Sequence, residues 1–214
     1  MKLEAINISK LFGENGLRPV SLALAEDRFI CVTGESGCGK TTLLNVLSGM
    51  LKPDTGDVLL DGKKIYSGLN ESGRTALRNG KIGYMAQGNA LVPELTVWQN
   101  IICPVEISGK KYDRAAAEEL TAKLGIEKVK NSYPSGISGG EYRRALLARV
   151  ILSDPELLLV DEPTSNLDEK SAHIVREILY GEYKKGKGLL VVTHDAEILK
   201  YGPEIISISS GGEN

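Results

Sequence analysis

One stretch limits what this chain can fold into more than any other: GESGCGKT at residues 34–41, set between two apolar patterns. Before it, residues 28–33 (RFICVT) read as a short buried strand. After it, Leu43, Leu44, Leu47 and Met50 recur at helical spacing, and Gly49 and Pro53 mark where that helix stops. Glycines at a strand-to-helix junction let the backbone approach a ligand closely. A helix N-terminus adds unpaired amides and the positive end of its dipole. The run fits G-x-x-x-x-G-K-[ST], in which a ring of backbone N–H groups cradles phosphates. In that pattern Lys40 meets the β- and γ-phosphates of a nucleotide and the Thr41 hydroxyl ligates Mg²⁺. By itself the pattern leaves the kind of nucleotide-binding protein open.

Strand signals continue beyond the loop. Residues 57–65 (DVLLDGKKI) read as a hairpin turning at Asp61-Gly62. Residues 157–160 (LLLV) and 189–193 (LLVVT) read as buried strands, and residues 205–208 as a last edge strand. Between about 91 and 152 helical signals take over. Asp113 can cap a helix carrying Ala116, Ala117, Leu120 and Leu124 that Gly125 stops, and residues 141–153 form a second helix closed by Pro155. Strands alternating with helices imply a mainly parallel α/β core. Residues 1–90 and 153–214 are expected to form it, with 91–152 inserted as a helical subdomain.

The strand at 157–160 ends in adjacent carboxylates, Asp161 and Glu162. Alone, the pair also suits a strand end turning into a polar loop. Beside a phosphate loop it has a use: Asp161 is delivered to Mg²⁺ by a strand next to that loop, and Glu162 points at the attacking water as general base.

Here the residues resemble the ABC (ATP-binding cassette) ATPases. Ile137-Ser138-Gly139-Gly140-Glu141 is similar to their LSGGQ signature, and Ser138 stands 23 residues before Asp161. Tyr84-Met85-Ala86-Gln87 is similar to the Q-loop, Ser165-Asn166-Leu167-Asp168 to the D-loop, and Val192-Thr193-His194-Asp195 to the switch-histidine segment. Phe12, in Lys10-Leu11-Phe12-Gly13, holds the place of the aromatic that stacks on adenine. The resemblance implies an α/β P-loop NTPase fold with a mainly parallel sheet, an antiparallel β portion and the inserted helical subdomain. It implies an ATPase that uses ATP and Mg²⁺. Glu162, His194 and Gln87 are its expected catalytic groups, and Thr41, Gln87 and Asp161 its metal ligands. Phe12, Gly34, Ser36, Gly37, Cys38, Gly39, Lys40, Thr41, Thr42, Ser138, Gly139, Gly140 and Asp168 are expected to contact nucleotide. Two residues depart from the pattern. Glu141 replaces the usual glutamine and puts a carboxylate near a triphosphate. Cys38 replaces serine or alanine within the phosphate loop, so thiol reagents are expected to inhibit and ATP to protect.

The same resemblance implies two copies, or this chain and a related one, closing head-to-tail around two ATP molecules. It implies a separate membrane-spanning permease that docks near residues 91–102, which carry the single tryptophan, Trp98. The branch it suggests exports lipoproteins or antibiotic peptides. The alternative is a soluble ABC ATPase of translation or DNA repair, a group that usually carries tandem cassettes or a long coiled coil. With 26 basic against 28 acidic residues, the formal charge of -2 calls for no nucleic-acid partner. No run reaches the roughly 18 apolar residues of a spanning helix, residues 1–10 (MKLEAINISK) lack a signal peptide's apolar stretch, and the three cysteines form no disulfide framework. The expected location is the cytoplasm, peripheral on the inner face of the membrane.

Overall fold

The alternation that makes residues 28–33 read as a strand has two apolar sides, and in the computed structural model both are buried. The structure describes residues 1–78, 80–87 and 90–209. Five parallel strands form one sheet in the order β6-β7-β8-β3-β9: Ile82–Met85, Leu157–Asp161, Gly188–Val192, Phe29–Thr33 and Glu204–Ser207. Ile30, Val32, Leu157, Leu159, Leu190 and Val192 face one side, and Cys31, Leu158, Val160, Leu189 and Val191 the other. Successive residues of a strand point to opposite faces, so a continuous aliphatic run serves a sheet covered on both sides.

The first face packs on α1 (Lys40–Leu47), which fills the space beneath a second, antiparallel sheet. That sheet runs β2-β1-β4-β5, from Asn15–Ala25, Lys2–Phe12, Thr55–Leu60 and Lys63–Lys64, and the short helices α2 (Ile65–Gly68) and α3 (Glu71–Arg78) follow it in the chain before β6. The β4–β5 turn is at Asp61-Gly62, as its sequence demands, with φ of 49° and 76°. The second face of the parallel sheet packs on α4 (Val97–Ile107), α6 (Gly139–Leu152) and α7 (Glu169–Lys184), with α5 (Arg114–Lys123) against α6. Asp113 caps α5 through the Ala115 amide, and Gly125 follows its end with φ of 65°.

Three features differ from the sequence reading. It assigns no strand to residues 1–25, where β1 and β2 lie. Register shifts at Ala5/Ile8 and Ile8/Lys10, with Asn7 at φ 47°, break the period of two along β1. Met50 does not extend the α1 stripe: the helix ends at Leu47, and Met50 is exposed. The strand carrying Asp161 is not next to the strand feeding the phosphate loop, because β8 lies between β7 and β3. Helix α1 packs against β7 as well as the antiparallel sheet, and so carries its first turn across β8.

Candidate functional site

The loop between β3 and α1 takes a shape that side chains would obstruct. Gly34, Gly37 and Gly39 have φ of 153°, 83° and 98°. A Cβ on Gly39 would lie 2.7 Å from the Leu17 backbone, so this glycine is required both by its left-handed conformation and by the close approach of β2. No side chain caps α1, which leaves its first amides to a ligand. The Lys40 ammonium bridges the loop, donating to the carbonyls of Gly34 (2.7 Å) and Glu35 (2.8 Å).

Thr41, in the first turn of α1, donates its hydroxyl to Asp161 Oδ2 at 2.7 Å. Asp161 Oδ1 is buried with no hydrogen-bond partner among the described residues. Burial pushes the Asp161 carboxyl above its ordinary range, against the pull of the Thr41 hydroxyl and the Arg143 charge. The next residue, Glu162, sits in a left-handed turn at φ 47°, its amide donating to Val192 O at 2.8 Å on β8. That turn aims the Glu162 carboxylate across β8. The Thr193 hydroxyl and the His194 amide approach its Oε2 at 3.4 Å, and His194 Nε2 lies 3.7 Å from Oε1. The interposed strand thus brings the histidine to the glutamate.

These groups surround one cavity of about 730 Å³, lined among others by Ser36, Gly37, Gly39, Lys40, Thr41, Gln87, Asp161, Glu162 and His194. Phe12, Gly34, Cys38, Thr42, Ser138, Gly139, Gly140 and Asp168 lie outside its lining. Phe12 is exposed at the tip of the β1–β2 hairpin, and Gly16 and Leu17 of that hairpin touch the phosphate loop at Gly39. Cys38 is 1% exposed and joins the apolar core beneath the antiparallel sheet. Its thiol therefore points away from the cavity, and the expectation of ready attack by thiol reagents is corrected. Asp168 is the N-cap of α7, accepting from the Ser171 amide (3.0 Å) and hydroxyl (2.7 Å).

Ser138 caps α6 at an exposed helix start. The Glu141 carboxylate folds back to accept from the Ser138 amide (2.8 Å) and hydroxyl (2.7 Å), completing a capping box. The Ser138 hydroxyl and then its amide hold the Glu141 carboxyl below its ordinary value. The residue that departs from the signature thus has a local use.

Sequence reasoning missed the polar groups that brace the site. Asp195 accepts from the Thr164 hydroxyl (2.9 Å) and from Arg176 (2.8 Å), a buried arginine that also reaches Glu169. Arg143 of α6 reaches the main chain around Glu162. The signal available for the arginines is a cation on an otherwise apolar helix face.

Known proteins resemble this chain over nearly its whole length. The profile of the family described as "ABC transporter" matches residues 17–165. An ABC transporter ATP-binding protein of Methanocaldococcus jannaschii is 35% identical, covering 98% of this chain and 96% of its own length. The lipoprotein-releasing system ATP-binding protein LolD of Buchnera aphidicola is 34% identical, with coverages of 98% and 94%. Among solved structures, the dimeric ABC transporter cassette MJ0796 superposes with a TM-score of 0.89 at 31% identity, covering 98% of this chain and 95% of that one. A second dimeric structure of that cassette, in a post-hydrolysis state bound to ADP and phosphate, superposes at 0.86.

Proposed function

Because this chain belongs to the ABC transporter family, we propose that it is the ATP-hydrolysing subunit of a transporter whose membrane-spanning part is a separate polypeptide. It is an ATP-binding ATPase of the cassette type. The observation that carries the residue roles is the 2.7 Å contact of Thr41 with Asp161, which gathers the phosphate loop, Glu162 and His194 around one cavity.

The loop amides and Lys40 bind the phosphates. Glu162 takes a proton from water as its oxygen bonds to the γ-phosphorus. The bond from that phosphorus to the β–γ bridging oxygen breaks, giving ADP and phosphate. His194, beside Glu162, donates to the γ-phosphate, and Phe12 meets the base from the hairpin tip. Thr41, Asp161 and Gln87 would hold Mg²⁺, which neutralises phosphate charge when bound. The fit rests on the oxygen donors and on Asp161 Oδ1, a buried carboxylate oxygen with lone pairs to offer. Magnesium takes few protein ligands besides phosphate and water.

The exposed N-terminus of α6, at Ser138, Gly139 and Gly140, faces the γ-phosphate held by a second copy, and the D-loop through Asp168 borders that interface. This reading is supported by the dimeric relative. The functional division follows residues 1–90 with 153–214 as the nucleotide-binding core and 91–152 as the signature-bearing subdomain. Among the described residues no helix is long and apolar enough to cross a membrane. The proposal is that the chain docks on the inner face of the membrane through its permease. Relatives named for lipoprotein release and macrolide export support an export branch for that permease, while others of similar identity are named for hemin import.

The test is a pull-down of tagged Glu162→Gln chain from its native cells with ATP in mild detergent. A stoichiometric multispanning protein is the expected partner. Recovery of ribosomal or DNA-bound proteins, with no membrane protein, would replace the transporter reading with a soluble one. Lys40→Ala is expected to weaken ATP binding at least tenfold, from loss of charge-assisted hydrogen bonds of about 1.5–3 kcal/mol. A fluorescent-nucleotide titration measures it.

A further inference from the structure

Glu162 has an unfavourable backbone. A non-glycine residue at φ 47° is uncommon and costs free energy unless its surroundings hold it. Its amide is secured by Val192 O, which fixes one side of the turn. The other side offers three successive carbonyls, those of Asp161, Glu162 and Pro163. All three are taken by one side chain. Arg143 donates through Nη2 to Asp161 O (3.0 Å) and to Glu162 O, and through Nε to Pro163 O (3.4 Å). Nη2 also reaches Ser165 Oγ at 3.3 Å, and that hydroxyl in turn donates to Glu162 O at 3.0 Å. A planar guanidinium with its donors in a fixed fork can meet several carbonyls from one position, which a flexible ammonium does less well.

Where Arg143 comes from matters as much as what it holds. It lies on α6, two residues after Glu141 and just over one turn from the exposed start at Ser138. Burial opposes its charge, and the carboxylates of Asp161 and Glu162 favour it. Arg143 is half-buried, and burial outweighs the two carboxylates and holds its guanidinium below the ordinary value. The Arg143 side chain thus links the first turns of α6 directly to the turn at Glu162.

We propose that Arg143 is a positioning residue for hydrolysis: it clamps the turn that presents Glu162, and it does so from the helix whose exposed end meets the second copy's nucleotide. The inference rests on the role assigned to Glu162 above. Phosphate arriving at the start of one copy's α6 thereby bears on the geometry of that same copy's general base. Arg143 itself touches no part of ATP and takes no part in the proton transfer.

The experiment compares steady-state ATP hydrolysis by the full chain with its Arg143→Met and Arg143→Lys variants. It also compares ATP-driven dimerisation of Glu162→Gln with that of the double variant Arg143→Met/Glu162→Gln. The expected result is a kcat at least tenfold lower in Arg143→Met with KM for ATP within twofold. Arg143→Lys should recover part of the lost kcat, and the double variant should dimerise in ATP like Glu162→Gln. A folded Arg143→Met chain with kcat within twofold of the parent overturns the proposal. So does a parallel change in KM, or a double variant that no longer dimerises, since either assigns Arg143 to nucleotide binding or the interface. If Arg143→Met does not fold, Arg143→Lys decides: reduced kcat at unchanged KM supports the clamp, and parental kcat overturns it. A Glu162→Gln chain that hydrolyses ATP at the parental kcat sinks the role of Glu162 and the clamp with it. A normal Glu162→Gln dimer beside an unaffected Arg143→Met sinks the clamp alone.

Discussion

At the scale of single residues, the site depends on where two neighbouring carboxylates point. Asp161 ends a strand whose other residues are fully buried aliphatics, so its carboxyl is drawn out of water beside Thr41. Glu162, one residue later, leaves the strand through a left-handed turn and faces the cavity instead. Adjacent residues thereby acquire different tasks. Glu162→Gln keeps the shape and removes the proposed base, so kcat is expected to fall by about 10²–10⁴-fold with ATP still bound, as phosphate-release assays and nucleotide titration would show. Cys38 teaches the opposite lesson, since its position within the phosphate loop says nothing of its direction. Its thiol is buried, as is that of Cys31, which burial pushes up to about 11. A maleimide added to the native chain is expected to label half-buried Cys103 first, with Cys38 and Cys31 reacting at full rate only after denaturation. Peptide mass spectrometry at short times checks the order.

At the scale of elements, what holds the site together is a set of braces between strands and helices. The segment after β8 is tied to α7 by Arg176, which is 4% exposed and donates to Asp195. Burial alone would raise the Asp195 carboxyl, but hydrogen bonds from Arg176 and Thr164 outweigh it and hold the carboxyl below its ordinary value. A depressed carboxyl pKa stabilises the fold fully above the unfolded value of about 4, and that stabilisation is lost as pH falls through the folded value. Asp195→Asn is expected to cost roughly 3 kcal/mol at neutral pH, the lower end for breaking a buried pair, because Glu169 still faces Arg176. The deficit should shrink in acid, where the parent carboxyl protonates as well. Urea denaturation at neutral pH and near pH 3 measures both. Helix starts show how much of this scale is local. Ser138 with Glu141 and Thr96 with Gln99 each form a capping box over three residues of sequence, so both starts follow from the chain itself.

At the scale of the whole molecule, one cavity holds the phosphate loop, Glu162 and His194, while Ser138, Gly139 and Gly140 stand outside it on an exposed helix end. In the roles proposed above these are two half-sites, which a head-to-tail pair would complete. Glu162→Gln is accordingly expected to run as a monomer without nucleotide and as a dimer with ATP in size-exclusion chromatography with light scattering. A monomer under both conditions would remove the second copy from the mechanism, or make the permease essential for pairing.

The sequence by itself determined the phosphate loop, the acidic strand end, the helix start at Asp113 and the turn at Asp61-Gly62, while the helix read from residue 141 begins two residues earlier, capped by Ser138. Each is set by a few neighbouring residues whose backbone geometry is their own. It also determined the aliphatic strands, because burial on both faces leaves a continuous apolar run. Only the tertiary structure decided that β8 lies between β7 and β3. Strand order depends on how α1 and the two sheets pack, which no local pattern records. It likewise decided that β1 and β2 pair through shifted registers that blur their alternation, that Cys38 turns into the core, and that Arg143 closes over the turn at Glu162. Those contacts join residues far apart in the chain, and distant residues meet only once the core has closed around them.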